Sequence, residues 1–551
     1  MDVYQQHLQN WRWQVPEFFN VGTACLRAAD SPSSAARTAV LWEEESGTRA
    51  AITYGELRAS ANRFANALRA LGVNRGDRVA ICLPQRIETA IAHLAIYQLG
   101  AVAVPLTVLF GADAIEYRLS NADCKIAVCD DASLANVLSV RSKLPKLAQV
   151  IACAGASDTS ALDWSALVAG ASEQFEPIQT HSNDPALIIY TSGTTGPPKG
   201  ALLPHRAMLG NWSGFLYSHN LLPETLPKSG APFVFWSPAD WAWTGGLWDA
   251  LLPTLFGGGT IVGYRGRFDP HRAFALMEKY QVVSTFLFPT ALKMMMKAIP
   301  APREQFKLTL QSIMSAGESV GQTVFDWTEQ ALGVKLNEMF GQTELNYVVG
   351  NCSGLWPAKP GSMGRGYPGH QVTIIDDEGN PLAAGQTGDV AVNRCDVHGE
   401  LDPVFFLGYL NNEAGTQAKY SGDWCRTGDM ARLDAEGYLW YEGRSDDVIK
   451  SAGYRIGPAE VESCLIQHPA VAMAAVIGKP DSERGAIVKA FIVLAAGHVA
   501  SDELRDALAQ HVRGKLAPYE YPKEIEFVND LPMTTTGKLQ RKVLRERESA
   551  K

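Results

Sequence analysis

Hydrophobic and polar positions alternate upstream of Gly443 in a way that predicts a sheet with helices on its faces. Two short apolar runs, Asp77–Leu83 and Val282–Leu287, have the length and composition of strands. Each precedes a segment with helical spacing, Glu88–Leu99 in the first case and Ala291–Ala298 in the second. Strands that alternate with helices favour a parallel or mixed sheet, so the predicted fold class is α/β. In such sheets, ligands bind beyond the carboxyl ends of the strands.

A different pattern begins near Gly443 and predicts a second, smaller domain of the α+β class. Pro458–Gln467 has helical spacing, and Ser501 is placed to cap a helix that runs to Leu516. Three apolar, mostly β-branched runs are predicted as strands, namely Val471–Ile477, Val488–Leu494 and Glu524–Val528. A segment of about 105 residues is long enough to form a domain with a core of its own.

The composition is that of a globular protein and excludes several classes. The 551 residues include 49 Lys and Arg against 58 Asp and Glu, which gives a net charge of −9, and 46% of them are hydrophobic. This balance excludes a mostly disordered or fibrous chain and argues against binding of nucleic acid through a basic face. The longest stretch without a charged residue, Thr89–Ala112, contains Gly100 and Pro105. We therefore interpret it as helix, turn and strand, not as a membrane span.

The cysteines and the two ends of the sequence predict the compartment. The nine cysteines form no CxxC pair and match no zinc template, so we expect reduced and mostly buried thiols. The first residues lack the basic region and apolar core of a signal peptide, and the last residues carry no lipidation signal. These features together predict a cytoplasmic protein.

The segment Tyr190–Gly200, YTSGTTGPPKG, is the clearest candidate for chemistry. It follows the apolar run Ala186–Ile189 and combines three glycines with four hydroxyl-bearing Ser and Thr residues and one lysine. Glycines let backbone N–H groups approach phosphate oxygens, hydroxyls add donors, and Lys199 can place a positive charge on a phosphate. The usual nucleotide P-loop is excluded, because glycine and not Ser or Thr follows Lys199. An anion-binding loop is predicted, and a polar surface turn is the alternative.

Further segments complete a set of motifs: Met339–Glu344 (MFGQTE), Arg426–Asp429 (RTGD), Tyr441–Glu460 (YEGRSDDVIKSAGYRIGPAE) and Leu531–Arg541 (LPMTTTGKLQR). In this combination and order, the five segments resemble the adenylate-forming superfamily of acyl- and aryl-CoA synthetases, adenylation domains and luciferases. The resemblance extends over nearly the whole chain. It implies a large N-terminal α/β domain with several subdomains, residues 1–445, and a small mobile α+β domain, residues 446–551, with a hinge at Asp446.

The resemblance implies the ATP-dependent activation of a carboxylic acid. A carboxylate is a poor electrophile, and its transfer to AMP gives the acyl carbon a good leaving group. Acyl-AMP and pyrophosphate would form first, and the thiol of CoA would then attack the adenylate to give acyl-CoA and AMP. ATP, Mg²⁺ and coenzyme A are thus the implied cofactor and co-substrates. Because two anions must meet, positive charge and hydrogen-bond donors have to be placed in advance.

The resemblance also implies which residues handle ATP. Thr343 would contact the α-phosphate, and Glu344 would hold Mg²⁺, a hard cation that suits carboxylate oxygen. Asp429 would accept hydrogen bonds from the ribose hydroxyls; a surface carboxylate or a turn aspartate is the alternative for these acidic positions. The implied ATP-binding residues are Thr191, Ser192, Gly193, Thr194, Thr195, Gly196, Lys199, Gly317, Glu318, Ser319, Glu338, Met339, Phe340, Gln342, Asp429, Arg444 and Arg455.

Lys538 is the central cation that the resemblance implies. The corresponding lysine of the family bridges the substrate carboxylate and the phosphate during adenylation, and its acetylation, common in relatives, would remove the charge. After adenylation, the small domain would swing at Asp446 and withdraw this lysine. Ala452, Gly453 and Tyr454 would then line the tunnel for CoA, where Gly453 lets the pantetheine arm approach the backbone.

The acyl pocket is predicted from Ser237–Trp248, SPADWAWTGGLW, with Trp243 and Gly245 as lining residues. The three tryptophans of this segment could equally belong to the core. Gly341 occupies the position where relatives limited to acetate carry a Trp that closes the pocket floor. The resemblance therefore implies a larger acid, either medium-chain, branched or aromatic. Asp240 and Asp249 are the candidates to pair with the ammonium group if the acid were an amino acid.

Two other interpretations are weighed against this one. An adenylation enzyme that loads a separate carrier protein would use the same motifs. A dinucleotide site is suggested only by Gly364–Gly369, GRGYPG, but prolines surround this segment and a strand-like run follows it, so a turn is predicted. The expected partners are the acid, ATP and CoA, with no nucleic acid and no membrane span. Whether the chain forms a homo-oligomer is left open.

Overall fold

The structure is a computed structural model that describes residues 2–153, 160–191, 197–317, 320–444, 447, 449–451, 454–481, 484–516, 519–533 and 539–549. The α-helices are α1 Val3–Asn10, α2 Val21–Cys25, α3 Pro32–Ala35, α4 Tyr54–Ala70, α5 Ile87–Gln98, α6 Ala112–Asn121, α7 Asp131–Val140, α8 Trp164–Ala169, α9 Ala207–Ser218, α10 Leu222–Lys228, α11 Thr244–Gly246, α12 Leu252–Phe256, α13 Pro270–Lys279, α14 Pro289–Ala298, α15 Gln322–Leu332, α16 Glu413–Gln417, α17 Pro458–Ile466, α18 Asp502–Lys515 and α19 Arg541–Ser549.

The strands, in chain order, are β1 Thr38–Glu44, β2 Arg49–Thr53, β3 Arg78–Cys82, β4 Val102–Pro105, β5 Cys124–Cys129, β6 Gln149–Ala152, β7 Leu162–Asp163, β8 Pro185–Thr191, β9 Lys199–Pro204, β10 Val234–Trp236, β11 Thr260–Arg265, β12 Ser284–Phe286, β13 Ser312–Ser315, β14 Leu336–Gln342, β15 Asn346–Gly350, β16 Arg365–Gly366, β17 Val372–Ile375, β18 Thr387–Asn393, β19 Gly408–Tyr409, β20 Tyr420–Ser421, β21 Trp424–Leu433, β22 Leu439–Arg444, β23 Ile449–Ser451, β24 Tyr454–Ile456, β25 Val471–Asp481, β26 Gly485–Leu494 and β27 Glu524–Phe527.

The chain divides into two compact units. The first contains the described residues up to 191 together with residues 197–372 and 393–423. The second contains residues 373–392 and the described residues from 424 onward. The second unit is therefore larger than the small domain predicted for residues 446–551, because β21 and β22, upstream of Asp446, group with the C-terminal elements. The hinge at Asp446 lies outside the described residues and stays a prediction.

The first unit contains two sheets that confirm the predicted mixed α/β fold. One has the strand order β16-β15-β14-β13-β12-β10-β11-β1-β2, and the other has the order β19-β9-β8-β4-β3-β5-β6-β7. In each sheet the central pairs are parallel, and antiparallel pairs such as β8–β9, β14–β15 and β1–β2 lie towards the edges. The two sheets bury separate cores, one around Phe274 and Ile313 and one around Val104 and Ile188. The carboxyl ends of the strands thus lead into the loops that carry the motifs.

The predicted elements of both units are confirmed, with ends that shift by a few residues. The charge-free stretch forms α5 and β4, and α5 is buried from Thr89 to Gln98, which explains why it lacks a polar face. In the second unit, the hydroxyl of Ser501 accepts a hydrogen bond from Leu504 N and caps α18 as expected. No helix within the described ranges is long and apolar enough to span a membrane. All nine cysteines are free thiols and eight are buried, as predicted.

The second unit contains the paired strands β17, β18, β21 and β22, the β23–β24 pair, and a C-terminal part formed by a three-stranded sheet, three helices and an ion network. Strands β25, β26 and β27 form this three-stranded sheet, and α17 and α18 close its core around Val461, Val476 and Leu508. Helix α19 begins at Arg541, whose guanidinium contacts Glu462 at 2.6 and 2.9 Å and Asp447 at 3.0 Å. Burial disfavours the charge, but the two carboxylates outweigh it and raise the pKa of Arg541 above its usual value.

We expect Arg541→Met to destabilise the second unit by about 3 kcal/mol, because the buried Glu462 would lose the cation that pairs with it, whereas Asp447 keeps its ion pair with Arg545. Lys542→Met is the matched control on the same helix, since Lys542 pairs with Glu546 at the surface and such pairs contribute about 0–1 kcal/mol. Hydrogen–deuterium exchange of peptides from β25 and β26, measured at increasing urea concentrations, gives the two free energies. Equal values for both variants would contradict a structural role for the Arg541 network.

Candidate active site

The predicted anion-binding loop connects β8 to β9 in an antiparallel hairpin. Thr191 and Lys199 lie opposite each other at its base, where the hydroxyl of Thr191 donates to the carbonyl oxygen of Lys199 at 3.4 Å. The hydroxyl of Tyr117 donates to the carbonyl oxygen of Pro198 at 2.9 Å. The structure therefore fixes both ends of the loop. Its tip lies outside the described residues, and with it the predicted phosphate contacts of Ser192, Gly193, Thr194, Thr195 and Gly196.

Glu344 lies two residues beyond β14 and is 7% exposed. Its carboxylate Oε1 accepts a hydrogen bond from the hydroxyl of Tyr409, and its carbonyl oxygen accepts one from Phe406 N at 2.9 Å. Tyr409 belongs to β19, which pairs with β9 directly after the anion-binding loop. The structure thus brings the predicted metal ligand to the base of the predicted phosphate loop.

Lys199 contacts the other part of the same tyrosine. Its Nζ lies 5.1 Å from the centroid of the Tyr409 ring, within the range of a cation–π contact. Sequence reasoning did not single out Tyr409, because β19 has only two residues and carries no charged side chain. The signal available in the sequence is the glycine before Tyr409, because glycine can mark a backbone conformation that other residues rarely adopt. In the structure, Gly408 has such a conformation, with a φ of 142°.

Thr343 connects the phosphate side of the site with the predicted acyl segment. Its hydroxyl lies 3.1 Å from the hydroxyl of Thr244, the residue between Trp243 and Gly245. The half-buried Trp243 meets Phe110 edge to face, with 5.9 Å between the ring centroids. A Cβ added at Gly245 would lie 2.8 Å from Cε1 of Phe286. Aromatic side chains therefore surround the position next to Thr343.

The structure separates the tryptophans of this segment. Trp241 and Trp248 are 1% and 0% exposed and belong to the core, as the alternative interpretation held, whereas Trp243 is half-buried. Contacts with main-chain atoms explain why position 341 is a glycine. It follows a register shift in the β14–β15 pair, and a Cβ there would lie 1.9 Å from the carbonyl oxygen of Asn346. The missing side chain thus leaves no open volume in that direction, and the structure does not supply the reason that the resemblance gave for a longer pocket.

The two aspartates considered for an ammonium group are poorly suited to it. Burial raises the pKa of Asp249 well above its usual range, against a hydrogen bond from Asn346 that lowers it. Burial likewise raises the pKa of Asp240, although hydrogen bonds from Thr107 and from Ala242 N oppose the shift. Because burial favours the neutral carboxyl, neither residue offers a strong counter-charge to a substrate cation.

Two backbone donors hold the carboxylate of Glu338, one of the predicted ATP-binding residues. Its two carboxylate oxygens accept hydrogen bonds from Val320 N and Gly361 N, each at 3.1 Å. Burial raises the pKa of Glu338 to about 7, and the two backbone donors oppose this shift. Glu318 and Ser319 lie outside the described residues, whereas Gly317 is described at the end of β13 with a φ of 95°.

The other predicted residues of this motif lie along one strand. Met339 and Phe340 belong to β14, with Met339 buried and Phe340 half-buried. Gln342, at the end of the strand, accepts a hydrogen bond from Lys419 Nζ at 3.1 Å. The structure thus places the residues before Thr343 in a paired strand, which limits their freedom to move.

Within the second unit, the predicted RTGD segment lies on β21. Asp429 is 6% exposed and accepts a hydrogen bond from the hydroxyl of Tyr441 at 3.4 Å, with Arg444 opposite it on β22. Asp389, which the sequence did not single out, accepts from Gly428 N at 3.0 Å and from the hydroxyl of Thr427 at 3.3 Å. These bonds fix the part of β21 that precedes Asp429.

Several predicted residues of the second unit lie outside the described part of the chain. They are Asp446, Ala452, Gly453 and Lys538. Tyr454 and Arg455 are described only as backbone of β24, paired with Ser451 and Lys450 of β23. The base of the Lys538 loop is described, because Met533 and Leu539 form a bridge and Gln540 N donates to the carbonyl oxygen of Pro532 at 2.8 Å. The roles of these residues stay predictions.

The donor set at Glu344 fits the predicted magnesium ion. Within the described ranges, no group of three or more His, Cys, Asp or Glu side chains could hold a metal. Magnesium usually keeps several waters and binds through one or two carboxylates together with substrate phosphates, so it needs no such group. The carboxylate of Glu344, oriented by Tyr409 near the base of the phosphate loop, is the type of ligand this mode requires.

Comparison with known proteins identifies the class. Residues 28–398 match the family model of AMP-binding enzymes, and residues 460–538 match the model of the AMP-binding enzyme C-terminal domain. The uncharacterized acyl-CoA ligase YtcI of Bacillus subtilis (strain 168) is 37% identical over 513 residues, 93% of either chain. The human mitochondrial acyl-coenzyme A synthetase ACSM5 is 33% identical over 98% of this chain and 92% of its own.

The solved structures agree with the family models. The anthranilate CoA ligase AuaEII, in complex with anthranoyl-AMP, superposes with a TM-score of 0.86 at 28% identity and covers 97% of this chain and 98% of its own. The chain therefore belongs to the AMP-binding enzyme family of adenylate-forming proteins. Within that family it is an ATP-dependent acyl-CoA synthetase, an AMP-forming acid–thiol ligase. The carrier-loading interpretation is not favoured, since these relatives are named as CoA ligases or synthetases.

The pKa of Glu338 predicts how stability depends on pH. Because the folded pKa of about 7 lies above the usual 4.5, the folded protein loses stability as the pH rises from about 5 through 7. Glu338→Gln removes this titration. The decrease in the free energy of unfolding between pH 5 and pH 8 should therefore be smaller in this variant by on the order of 2 kcal/mol. Unfolding in urea at several pH values measures the effect, with the exposed Glu329→Gln as control. An unchanged pH dependence in Glu338→Gln would show that this carboxyl does not titrate there.

Proposed function

We propose that this acyl-CoA synthetase activates an acid larger than acetate, with Lys199, Thr343, Glu344 and Asp429 handling ATP. The observation that carries the proposal is the convergence of Lys199 and Glu344 on Tyr409 in the first unit. Both residues come from motifs predicted to handle phosphate, and they are 145 positions apart in the sequence. A tertiary contact between two such segments is expected of a triphosphate site.

Charge and hydrogen-bond donors would organise the first half-reaction. Lys199 supplies a positive charge for the β- and γ-phosphates, and the hydroxyl of Thr343 donates to the α-phosphate. Mg²⁺, held by Glu344 and the phosphates, would lower the negative charge that the substrate carboxylate has to approach. Asp429 accepts from the ribose hydroxyls and fixes the nucleotide. Thr244, between Trp243 and Gly245, connects the phosphate contact to the acyl pocket.

The small domain would supply the remaining groups. Lys538 would bridge the carboxylate of the acid and the α-phosphate while the new bond forms. A swing at Asp446 would then replace Lys538 by Ala452, Gly453 and Tyr454, and CoA would reach the adenylate along that segment. Arg455 would contact a phosphate or CoA. Acetylation of Lys538 would block only the first of these two steps.

The class of acid is proposed from the surroundings of Gly245. Phe286 packs against Gly245 and Phe110 packs against Trp243, and these aromatic rings favour an apolar medium-chain, branched or aromatic acid. The anthranoyl-AMP held by AuaEII is an aromatic adenylate, in agreement with this class. The proposed location is the cytoplasm, although the relatives include mitochondrial proteins. Fractionation decides the location, and light scattering decides the state of association.

The test of the function is CoA-dependent release of AMP and pyrophosphate across straight-chain, branched and aromatic acids. We expect at least one acid of six or more carbons to exceed acetate in kcat/KM by more than about tenfold, a difference that a shaped apolar pocket can supply. A preference for acetate would contradict the proposed acid class. Turnover with a carrier protein but not with CoA would contradict the proposed acceptor.

Lys538→Ala should abolish formation of the adenylate, because the charge that joins the two anions is lost. Formation of acyl-CoA from a supplied acyl-adenylate should stay within a few-fold of the unmodified enzyme, because Lys538 has left the site in that step. The two half-reactions are measured separately, with Lys542→Ala as a control for loss of a nearby lysine. Equal loss of both half-reactions would contradict the proposal that Lys538 acts only in adenylate formation.

Gly245→Val and Gly341→Ala distinguish a glycine that lines the acyl pocket from a glycine that main-chain packing requires. At 245 the added atoms meet the edge of Phe286, so activity with large acids should fall by about 10–200-fold relative to propionate. At 341 the added Cβ meets main-chain atoms, so Gly341→Ala should lower activity with all acids alike and reduce thermal stability. Selectivity profiles and melting curves of both variants provide the measurement. If Gly245→Val lowers activity with all acids alike, Gly245 does not line the acyl pocket.

A further inference from the structure

Tyr409 contacts two proposed ATP-handling groups at once, and no step described above assigns it a role. Its hydroxyl donates to Oε1 of Glu344, and its ring lies 5.1 Å from Nζ of Lys199. We infer that Tyr409 is a positioning residue that sets the orientation of the magnesium ligand and couples it to the phosphate loop. The inference rests on the proposed roles of Glu344 and Lys199.

The chain holds Tyr409 on both sides. Leu407 N donates to the carbonyl oxygen of Leu202, and Leu410 N donates to that of Gly200, each at 2.7 Å. Tyr409 N donates to the hydroxyl of Thr416 at 2.8 Å. The tyrosine is therefore attached to β9 and to the last turn of α16, and its side chain is placed by backbone bonds that do not depend on ATP.

The two contacts of Tyr409 act on different partners. A hydroxyl that donates to one carboxylate oxygen fixes the plane of the carboxylate and leaves the second oxygen of Glu344 for a cation. The face of the ring attracts the ammonium group of Lys199 and keeps that side chain near the loop. Removal of the hydroxyl should therefore affect the metal first, and removal of the ring should affect the phosphates as well.

A second set of one tyrosine, one glutamate and one lysine occurs elsewhere in the first unit and provides a matched control. The hydroxyl of Tyr280 donates to Glu43 Oε2 at 2.8 Å, and Nζ of Lys279 lies 5.0 Å from the Tyr280 ring. Glu43 is 4% exposed, comparable to Glu344. Tyr280 lies at the end of α13, outside the predicted motifs, so Tyr280→Phe removes an equivalent hydrogen bond without touching the proposed site.

The experiment measures Mn²⁺ binding by electron paramagnetic resonance in the presence of a non-hydrolysable ATP analogue. We expect Tyr409→Phe to weaken Mn²⁺ binding about tenfold while the affinity for the metal-free analogue stays within twofold. Tyr409→Leu should weaken both, and Tyr280→Phe should change neither. In steady-state kinetics, Tyr409→Phe should raise the Mg²⁺ concentration needed for half-maximal rate more than it lowers kcat at saturating Mg²⁺. If Tyr409→Phe and Tyr280→Phe behave alike, the inference is wrong.

Two further variants keep the outcome decisive. Glu344→Gln should weaken Mn²⁺ binding at least as much as Tyr409→Phe; if it has no effect, the proposed metal role of Glu344 fails and the inference with it. If Glu344→Gln weakens binding and Tyr409→Phe does not, only the role of Tyr409 is refuted. Thr416→Val removes the acceptor for Tyr409 N and should give a two- to threefold loss, which tests the same point if Tyr409→Phe does not fold. Melting curves establish that each variant is folded.

Discussion

Repulsion between a carboxylate and a triphosphate is the constraint on which the proposed site depends. The reaction requires two anions to approach to bonding distance, and water screens them well until the site closes around them. A protein that catalyses it must hold cations and hydrogen-bond donors in place before the substrates arrive. In the first unit, this preparation consists of a hairpin loop, a carboxylate beyond the end of β14 and a tyrosine that contacts a residue of each.

The fold provides these groups from elements that are rigid for other reasons. Strand β14 is parallel to β13 in the body of one sheet, so Thr343 and Glu344 follow a strand with little freedom to move. The anion-binding loop lies between two strands of the other sheet. Backbone bonds from β19 and from Phe406 join the two. Within the second unit, Asp389 likewise fixes the part of β21 that precedes Asp429.

The sequence predicted the elements and the motifs well, because both depend on short-range patterns. The alternation of strands with helices around Val282–Leu287, the cap at Ser501 and the charge-free stretch that forms α5 are all local signals. Tyr409 and Asp389 were missed because their roles come from contacts with residues 65 and 39 positions away, and neither belongs to a motif rich in glycine or charge. The glycine at 341 was explained by side-chain volume, whereas its surroundings are main-chain atoms that only the register shift in β14–β15 reveals.

The proposed enzyme forms an acyl-adenylate from ATP before CoA takes part. Acid-dependent exchange of labelled pyrophosphate into ATP, measured without CoA, tests this claim most directly. We expect exchange with the preferred acid, none without an acid, and a fall in exchange when CoA is added and consumes the adenylate. Exchange that requires CoA, or that proceeds without any acid, would contradict it.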